Sequence, residues 1–223
     1  MEILKIENVN YRYAKTNKNV LNNINISFEK GKMYIIMGKS GAGKSTLLSL
    51  LSGLDTISTG KLLYKEKELS KMNLDRYRSQ EIGVVFQGYN LLNNATAVDN
   101  ILLSMQISNS KLNNKKQYIY DLLQKVGIDK DTANRKVLKL SGGEQQRISI
   151  ARALAHDPDI IIADEPTGNL DNENEENIMK ILESLAHEQG KCVIVVTHSQ
   201  KVASNADVIW GITNGHLNFI KEK

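Results

Sequence analysis

MYIIMGKSGAGKSTLLSLLSGL, residues 33–54, reads as three elements in succession. Five apolar residues ending at Gly38 suit a short buried strand. GKSGAGKS then fits the pattern G-x-x-x-x-G-K-[ST], with Gly38, Gly43, Lys44 and Ser45 at its fixed positions. STLLSLLSGL continues as a helix that stops at Gly53. Glycines in such a loop let backbone N–H groups wrap phosphates, the lysine neutralises the β and γ oxygens, and the hydroxyl can ligate Mg²⁺. Gly38, Ser40, Gly41, Ala42, Gly43, Lys44, Ser45 and Thr46 are therefore candidate nucleotide contacts. The competing reading is a glycine-rich turn that matches by chance. The strand before it and the uninterrupted helix after it are the context the motif requires.

Outward from this stretch, strand and helix patterns alternate. ILKIENV (3–9) and INISF (24–28) alternate apolar and polar residues, as half-buried strands do. KLLYK (61–65) and IGVVFQ (82–87) read as further strands. Between about 89 and 156 the pattern turns helical, through AVDNILLSMQ, KKQYIYDLLQKVG and the stretch after LSGGE. DIIIADEP (159–166) is a buried strand bounded by Pro158 and Pro166. Residues 173–187 set Ile178, Ile181, Leu182 and Leu185 on one helical face. CVIVVTH (192–198) and ADVIWGIT (206–213) close the chain as strands. No repeat or low-complexity linker interrupts the alternation. It predicts one α/β domain over 1–223 with a mostly parallel sheet and a helical subdomain inserted at about 89–156.

Composition narrows the class. A chain of 223 residues with 41% hydrophobic and 24% charged residues can bury a substantial core. MYIIM is far shorter than the roughly 20 apolar residues of a membrane span. MEILKIENVN has no basic stretch leading into an apolar one, so no secretory signal is expected. The single cysteine, Cys192, sits in the strand-like run CVIVV and reads as a buried reduced thiol. A net charge of +4 mildly favours an anionic partner, and its lysines are scattered rather than clustered. The wealth of lysine, asparagine and isoleucine points to an AT-rich bacterial genome.

Chemistry-bearing residues fall at strand ends. Asp164 and Glu165 follow the apolar run IIIA. A carboxylate ending a buried strand beside a phosphate loop can hold Mg²⁺, and the adjacent Glu165 can orient or deprotonate a water. An acidic pair in that place is, on its own, an ordinary solvated turn. Gln87 and His198 each end a predicted strand, and parallel strands meet at one ligand-binding edge, so both side chains can reach a γ-phosphate or its attacking water. Either residue alone would more often be structural. A second anion site then poses a question. LSGGEQQR (140–147) opens a helix, where unpaired N–H groups and the helix dipole favour a phosphate.

These motifs, in this order, resemble those of the nucleotide-binding subunits of ATP-binding cassette (ABC) transporters, over nearly the whole chain. Gln87 corresponds to the family's Q-loop, LSGGE to its signature, IIIADE to its magnesium strand, NLD (169–171) to its D-loop and His198 to its switch histidine. The D-loop reads GNLD where many members have SALD, and the aspartate, Asp171, is kept. The resemblance implies an ABC-type P-loop ATPase core with an N-terminal antiparallel β subdomain and an inserted α-helical subdomain. It implies ATP and Mg²⁺ as cofactors, Glu165, His198 and Gln87 as catalytic residues, and Ser45, Gln87 and Asp164 as metal ligands. Two cassettes pair head to tail in this family, so Ser141, Gly142, Gly143 and Asp171 would serve the other copy's nucleotide. That accounts for two half-sites in one chain. Tyr13, about 25 residues ahead of the loop, resembles the aromatic that stacks on adenine; Tyr11 or a plain core tyrosine is the alternative.

VFQGYNLL (85–92) and ADEPTGNLD (163–171) resemble most the branch that holds macrolide exporters, lipoprotein-releasing transporters, antimicrobial-peptide resistance transporters and the cell-division cassette. That branch implies an ATP-dependent homodimer on the inner face of the plasma membrane, peripheral through a permease with an extracytoplasmic domain. Phe86, Tyr89, Leu91 and Leu92 are the candidate permease contacts, with ordinary core packing as the other reading. About 25 residues follow His198, where sugar importers of this fold carry a long extension. Cargo is expected to be a peptide, drug or lipid-like molecule. A cassette that controls cell-wall hydrolysis or division would use the same motor. A soluble ABC ATPase acting on nucleic acid is disfavoured. The phosphate loop and LSGGE are about a hundred residues apart with no heptads between, and there is one cassette and one cysteine, so no direct nucleic-acid partner is expected.

Overall fold

The computed structural model describes every residue except 15, 17 and 223. Among the described residues, ten strands form two sheets. β1 (Glu2–Tyr11), β2 (Leu21–Glu29), β4 (Thr59–Tyr64) and β5 (Lys67–Glu68) make an antiparallel sheet in the order β2-β1-β4-β5. β3 (Met33–Met37), β6 (Ile82–Val85), β7 (Ile160–Asp164), β8 (Cys192–Thr197), β9 (Val208–Thr213) and β10 (His216–Glu222) make the second, ordered β10-β9-β3-β8-β7-β6. Every pairing in that sheet is parallel except β9 with β10. The fold is the α/β cassette architecture the motifs implied, N-terminal antiparallel sheet included.

The central strands read as continuous apolar runs because both of their faces are covered. Met33, Ile35, Ile161, Ala163, Val193 and Val195 point into one core, with the helical segment and α7 (Asn172–His187). Tyr34, Ile36, Ile160, Ile162, Ile194 and Val196 point into the other, with the antiparallel sheet and α1 (Lys44–Leu51). Cys192 belongs to the second core and is fully buried; burial pushes its thiol pKa up, as expected of an inert cysteine. α1 has six buried residues, two of them Lys44 and Thr46, so this helix is enclosed rather than amphipathic. On α7, Ile178, Leu182 and Leu185 are buried and Ile181 lies at the rim.

Several boundaries differ from the sequence reading. β6 stops at Val85, so Gln87 lies two residues beyond the strand, in a loop that runs to Thr96. Tyr89 and Asn90 there are left-handed, so the loop turns sharply before the helices begin. The helices between the strands are α3 (Ala97–Ile107), α4 (Lys115–Lys125), α5 (Lys130–Ala133) and α6 (Gly142–Ala153). A short helix α2 (Leu74–Arg76), continued by a π-helical turn over Tyr77–Glu81, was not foreseen. Nor was β10. Nearly all its side chains are exposed, so it carries no burial period to read. α8 (Gln200–Ala203), after β8, completes the chain's helices among the described residues.

Candidate functional site

β3 delivers the chain to the phosphate loop, and close packing there demands glycine. A Cβ on Gly38 would lie 2.6 Å from the carbonyl oxygen of Ile212 on β9. Gly43 has φ +109, and its Cβ would meet Leu21 at 2.9 Å. The loop turns directly into α1, so Lys44 emerges at the helix start with only 8% of its surface exposed. Its ammonium donates to the carbonyls of Gly38 (2.8 Å) and Lys39 (3.2 Å) and lies 3.8 Å from Glu165 Oε1. A buried cation held mainly by neutral carbonyls is poised for an anion.

One cavity of about 830 Å³ collects most of the expected residues. Tyr13, Ser40, Gly41, Gly43, Lys44, Ser45, Thr46, Gln87, Asp164, Glu165 and His198 line it. Gly38 and Ala42 face a neighbouring cavity of about 1080 Å³, between the outer side of the loop, α8 and the β9–β10 hairpin. Tyr13 is 46% exposed and packs edge-on against Tyr11 at 5.2 Å, with its hydroxyl 2.8 Å from Thr46 Oγ1. Tyr11 is buried in the sheet core and donates its hydroxyl to Asp55, so it offers no free face to a base.

The two carboxylates at the end of β7 have different settings. Asp164 is half-buried, and its pKa is raised, first by burial and then by the neighbouring Glu165 charge, with Lys44 and the Ser45 hydroxyl pulling the other way. Glu165 is left-handed at φ +45, an unusual geometry for a side chain of that size. Its Oε2 accepts from the Thr197 hydroxyl (3.0 Å) and the His198 backbone N–H (3.3 Å), and its Oε1 lies 2.9 Å from His198 Nδ1. The end of β8 thus aims the carboxylate. Gln87 is exposed into the cavity, and a Cβ on Gly168 would come within 3.1 Å of its amide nitrogen.

Ser45, Asp164 and Gln87 present a hydroxyl, a carboxylate and an amide oxygen around one space. Among the described residues no three His, Cys, Asp or Glu side chains converge as a metal cluster. An oxygen donor set with a single carboxylate of that kind suits Mg²⁺, which takes its remaining ligands from phosphates and water.

Ser141, Gly142, Gly143 and Asp171 are not in the cavity. Ser141 caps α6 in a capping box with Glu144: its hydroxyl accepts from the Glu144 N–H (3.3 Å), and its own N–H donates to Glu144 Oε2 (2.7 Å). Asp171 caps α7 by accepting from the Asn174 backbone N–H at 2.8 Å, which holds its carboxyl below the usual range. The Asn174 amide also donates to both Asp171 oxygens, while its carbonyl accepts from Arg147 at 3.1 Å. A Cβ on Gly143 would overlap that same Asn174, only 2.2 Å from Oδ1. Asn174 and Arg147 therefore join the signature to the D-loop, and sequence reading had missed both. Of the expected permease contacts, Phe86, Tyr89 and Leu91 are half-buried, and Leu91 packs on the core. Leu92 is 53% exposed.

The family model for the ABC transporter matches residues 21–168. The chain belongs to the ABC transporter family. Within it, the chain is 47% identical to the uncharacterized ABC transporter ATP-binding protein YclH of Bacillus subtilis, over 100% of this chain and 98% of that protein. It is 42% identical to the lipoprotein-releasing system ATP-binding protein LolD of Wigglesworthia glossinidia brevipalpis, over 97% and 96%. LolD lies in the branch to which VFQGYNLL and ADEPTGNLD pointed. Among solved structures, the bacterial ABC transporter cassette MJ0796, in a dimeric structure, superposes with TM-score 0.88 at 34% identity, over 99% of this chain and 100% of that one. MJ0796 has also been solved as a post-hydrolysis dimer bound to ADP and Pi. This chain is an ABC transporter ATPase subunit that binds ATP.

Proposed function

We propose that two copies of this chain pair head to tail on ATP and drive a membrane permease from its cytoplasmic face. One observation carries the reading. The cavity holding Lys44, Asp164 and Glu165 is open to solvent, while the helix start at Ser141–Gly143, with N–H groups suited to a phosphate, lies outside it. A twofold axis would bring each helix start to the other copy's cavity and build two whole sites from two chains. That MJ0796 has been solved as a dimer supports the pairing of two copies.

In that site Tyr13 stacks on adenine and Lys44 neutralises the β and γ oxygens. Ser45, Asp164 and Gln87 would hold Mg²⁺, which supplies charge neutralisation on the phosphate oxygens. Glu165 accepts the proton of the water that attacks the γ-phosphorus, as the bond to the leaving ADP oxygen breaks. His198 fixes that carboxylate through Nδ1 and faces the same phosphate. Gly142 and Gly143 of the second copy supply N–H groups and Ser141 its hydroxyl to the γ-phosphate, and Asp171 acts at that interface.

The permease, with its extracytoplasmic domain, docks beside Leu92. The exposed Leu138 is close by, its N–H bonded to the carbonyl of Asn93 at 3.0 Å. Leu103 and Ile107, exposed one turn apart on α3, extend the apolar surface. The cargo favoured is an antimicrobial or amphipathic peptide, exported or resisted. The lysine- and asparagine-rich composition leans towards a Gram-positive host, as does the Bacillus subtilis relative.

Light scattering of Glu165→Gln with and without ATP tests the pairing, because a ligand held across an interface stabilises the dimer only when present. The mass is expected to double with ATP. A monomer that binds ATP yet stays monomeric at high concentration would remove the head-to-tail site.

A further inference from the structure

Tyr89 and Asn90 are non-glycine residues at φ +61 and +51, side by side in the loop after Gln87. Such a pair is unfavourable unless its surroundings hold it. What holds it is helix α6. Arg152 donates one guanidinium N–H to the Tyr89 carbonyl at 3.0 Å and another to the Asn90 carbonyl, and the Ser149 hydroxyl donates to the Tyr89 carbonyl at 3.2 Å. The rigid guanidinium fork matches two successive carbonyls in a way a lysine ammonium does not. Burial alone pushes the Arg152 pKa down, with no carboxylate acting on it. Shifting the loop off α6 would break both guanidinium bonds and the Ser149 bond, and so free three acceptor contacts at Tyr89 and Asn90.

The same helix begins at the signature. A Cβ on Gly142 would stand 3.0 Å from the Tyr89 hydroxyl, so the Tyr89 ring lies against the signature while its carbonyl is held further along α6. Downstream, the Leu92 N–H donates to Asn100 Oδ1 at 2.8 Å and the Asn100 amide donates back to the Leu92 carbonyl at 3.2 Å, which fixes the loop to α3 as well. Between this clamped segment and Gln87 the backbone is bonded as a turn, the Tyr89 N–H donating to the Phe86 carbonyl at 3.1 Å and the Asn90 N–H to the Gly88 carbonyl at 2.6 Å.

We propose that Arg152 is a positioning residue that locks residues 89–90 to helix α6, so that engagement of Ser141–Gly143 by the second copy is transmitted to Gln87. The locking stands on the geometry of this chain; the transmission rests on the head-to-tail reading. Because Arg152 does not line the cavity, removing it leaves ATP capture by Lys44 intact and impairs the hydrolytic step.

Arg152→Met and Arg152→Lys test this in the isolated subunit. For Arg152→Met, KM for ATP is expected to stay within about twofold while kcat falls about tenfold or more. Amide exchange at Tyr89 and Leu92 is expected to quicken by about tenfold while β7 and β8 amides keep their protection. Arg152→Lys, with the charge but no fork, is expected to fall between, and it decides the matter by the same readouts if Arg152→Met does not fold. Unchanged exchange at Tyr89 and Leu92 overturns the lock. Faster exchange with wild-type kcat overturns the transmission. Equal loss of protection in β8 together with a risen KM shows general destabilisation and overturns both. A Glu165→Gln protein that stays monomeric with ATP leaves the exchange result standing, so failure of the dimer is told apart from failure of the lock.

Discussion

Glu165→Gln isolates the chemical step because the amide fits the hydrogen bonds already present. The Glu165 carboxylate accepts from the Thr197 hydroxyl and the His198 N–H through one oxygen and faces His198 Nδ1 with the other. A glutamine keeps its carbonyl towards Thr197 and turns its NH₂ towards Nδ1, which accepts in the Nε2–H tautomer. Glutamate and glutamine tolerate φ +45 equally poorly, so the backbone contributes nothing to the difference. What disappears is the basic oxygen. A positioned general base contributes about 10²–10⁴-fold, or about 3–5 kcal/mol on the barrier. Steady-state hydrolysis by the isolated subunit should therefore lose about a hundredfold or more in kcat, with KM for ATP within about threefold. A kcat within about threefold of wild type would show that Glu165 is not the base. A parallel rise in KM would place it in binding instead.

Asp164→Asn should stabilise the nucleotide-free protein while abolishing magnesium-dependent hydrolysis. The folded pKa of Asp164 is raised by burial, so ionising it costs stability; the cost is absent below the unfolded value, grows as pH rises towards the folded one, and is complete above it. Tm at pH 7 should rise, and the gap should close as pH falls towards the ordinary carboxylate value of about 4; a lower Tm, or a gap indifferent to pH, contradicts this. Deleting the gene should raise susceptibility to bacitracin, lantibiotics or host defence peptides. Unchanged susceptibility with a chaining or septation defect would transfer the reading to cell division.

Residue order alone was enough for the motifs whose function is local. A phosphate loop needs a strand, glycines at fixed spacing and a helix, all contiguous, so residues 33–54 declared it before any coordinates. The buried parallel strands were legible for a related reason: two covered faces force continuous apolar runs, as in β3, β7 and β8. Family resemblance then named the ATPase. Strand ends were less legible. Gln87 stands beyond β6, in a loop whose left-handed Tyr89 and Asn90 are held by Arg152, a partner more than sixty residues away that no local pattern announces. Tyr11 and Tyr13 look alike in sequence. Only the packing buries one against Asp55 and leaves the other facing the cavity. The bond from Arg147 to Asn174, which ties signature to D-loop, depends likewise on α6 and α7 meeting in space. Contacts of this kind are set by how helices pack, which depends on the whole core at once, whereas a loop that wraps phosphate is set by the conformational freedom of the glycines within it.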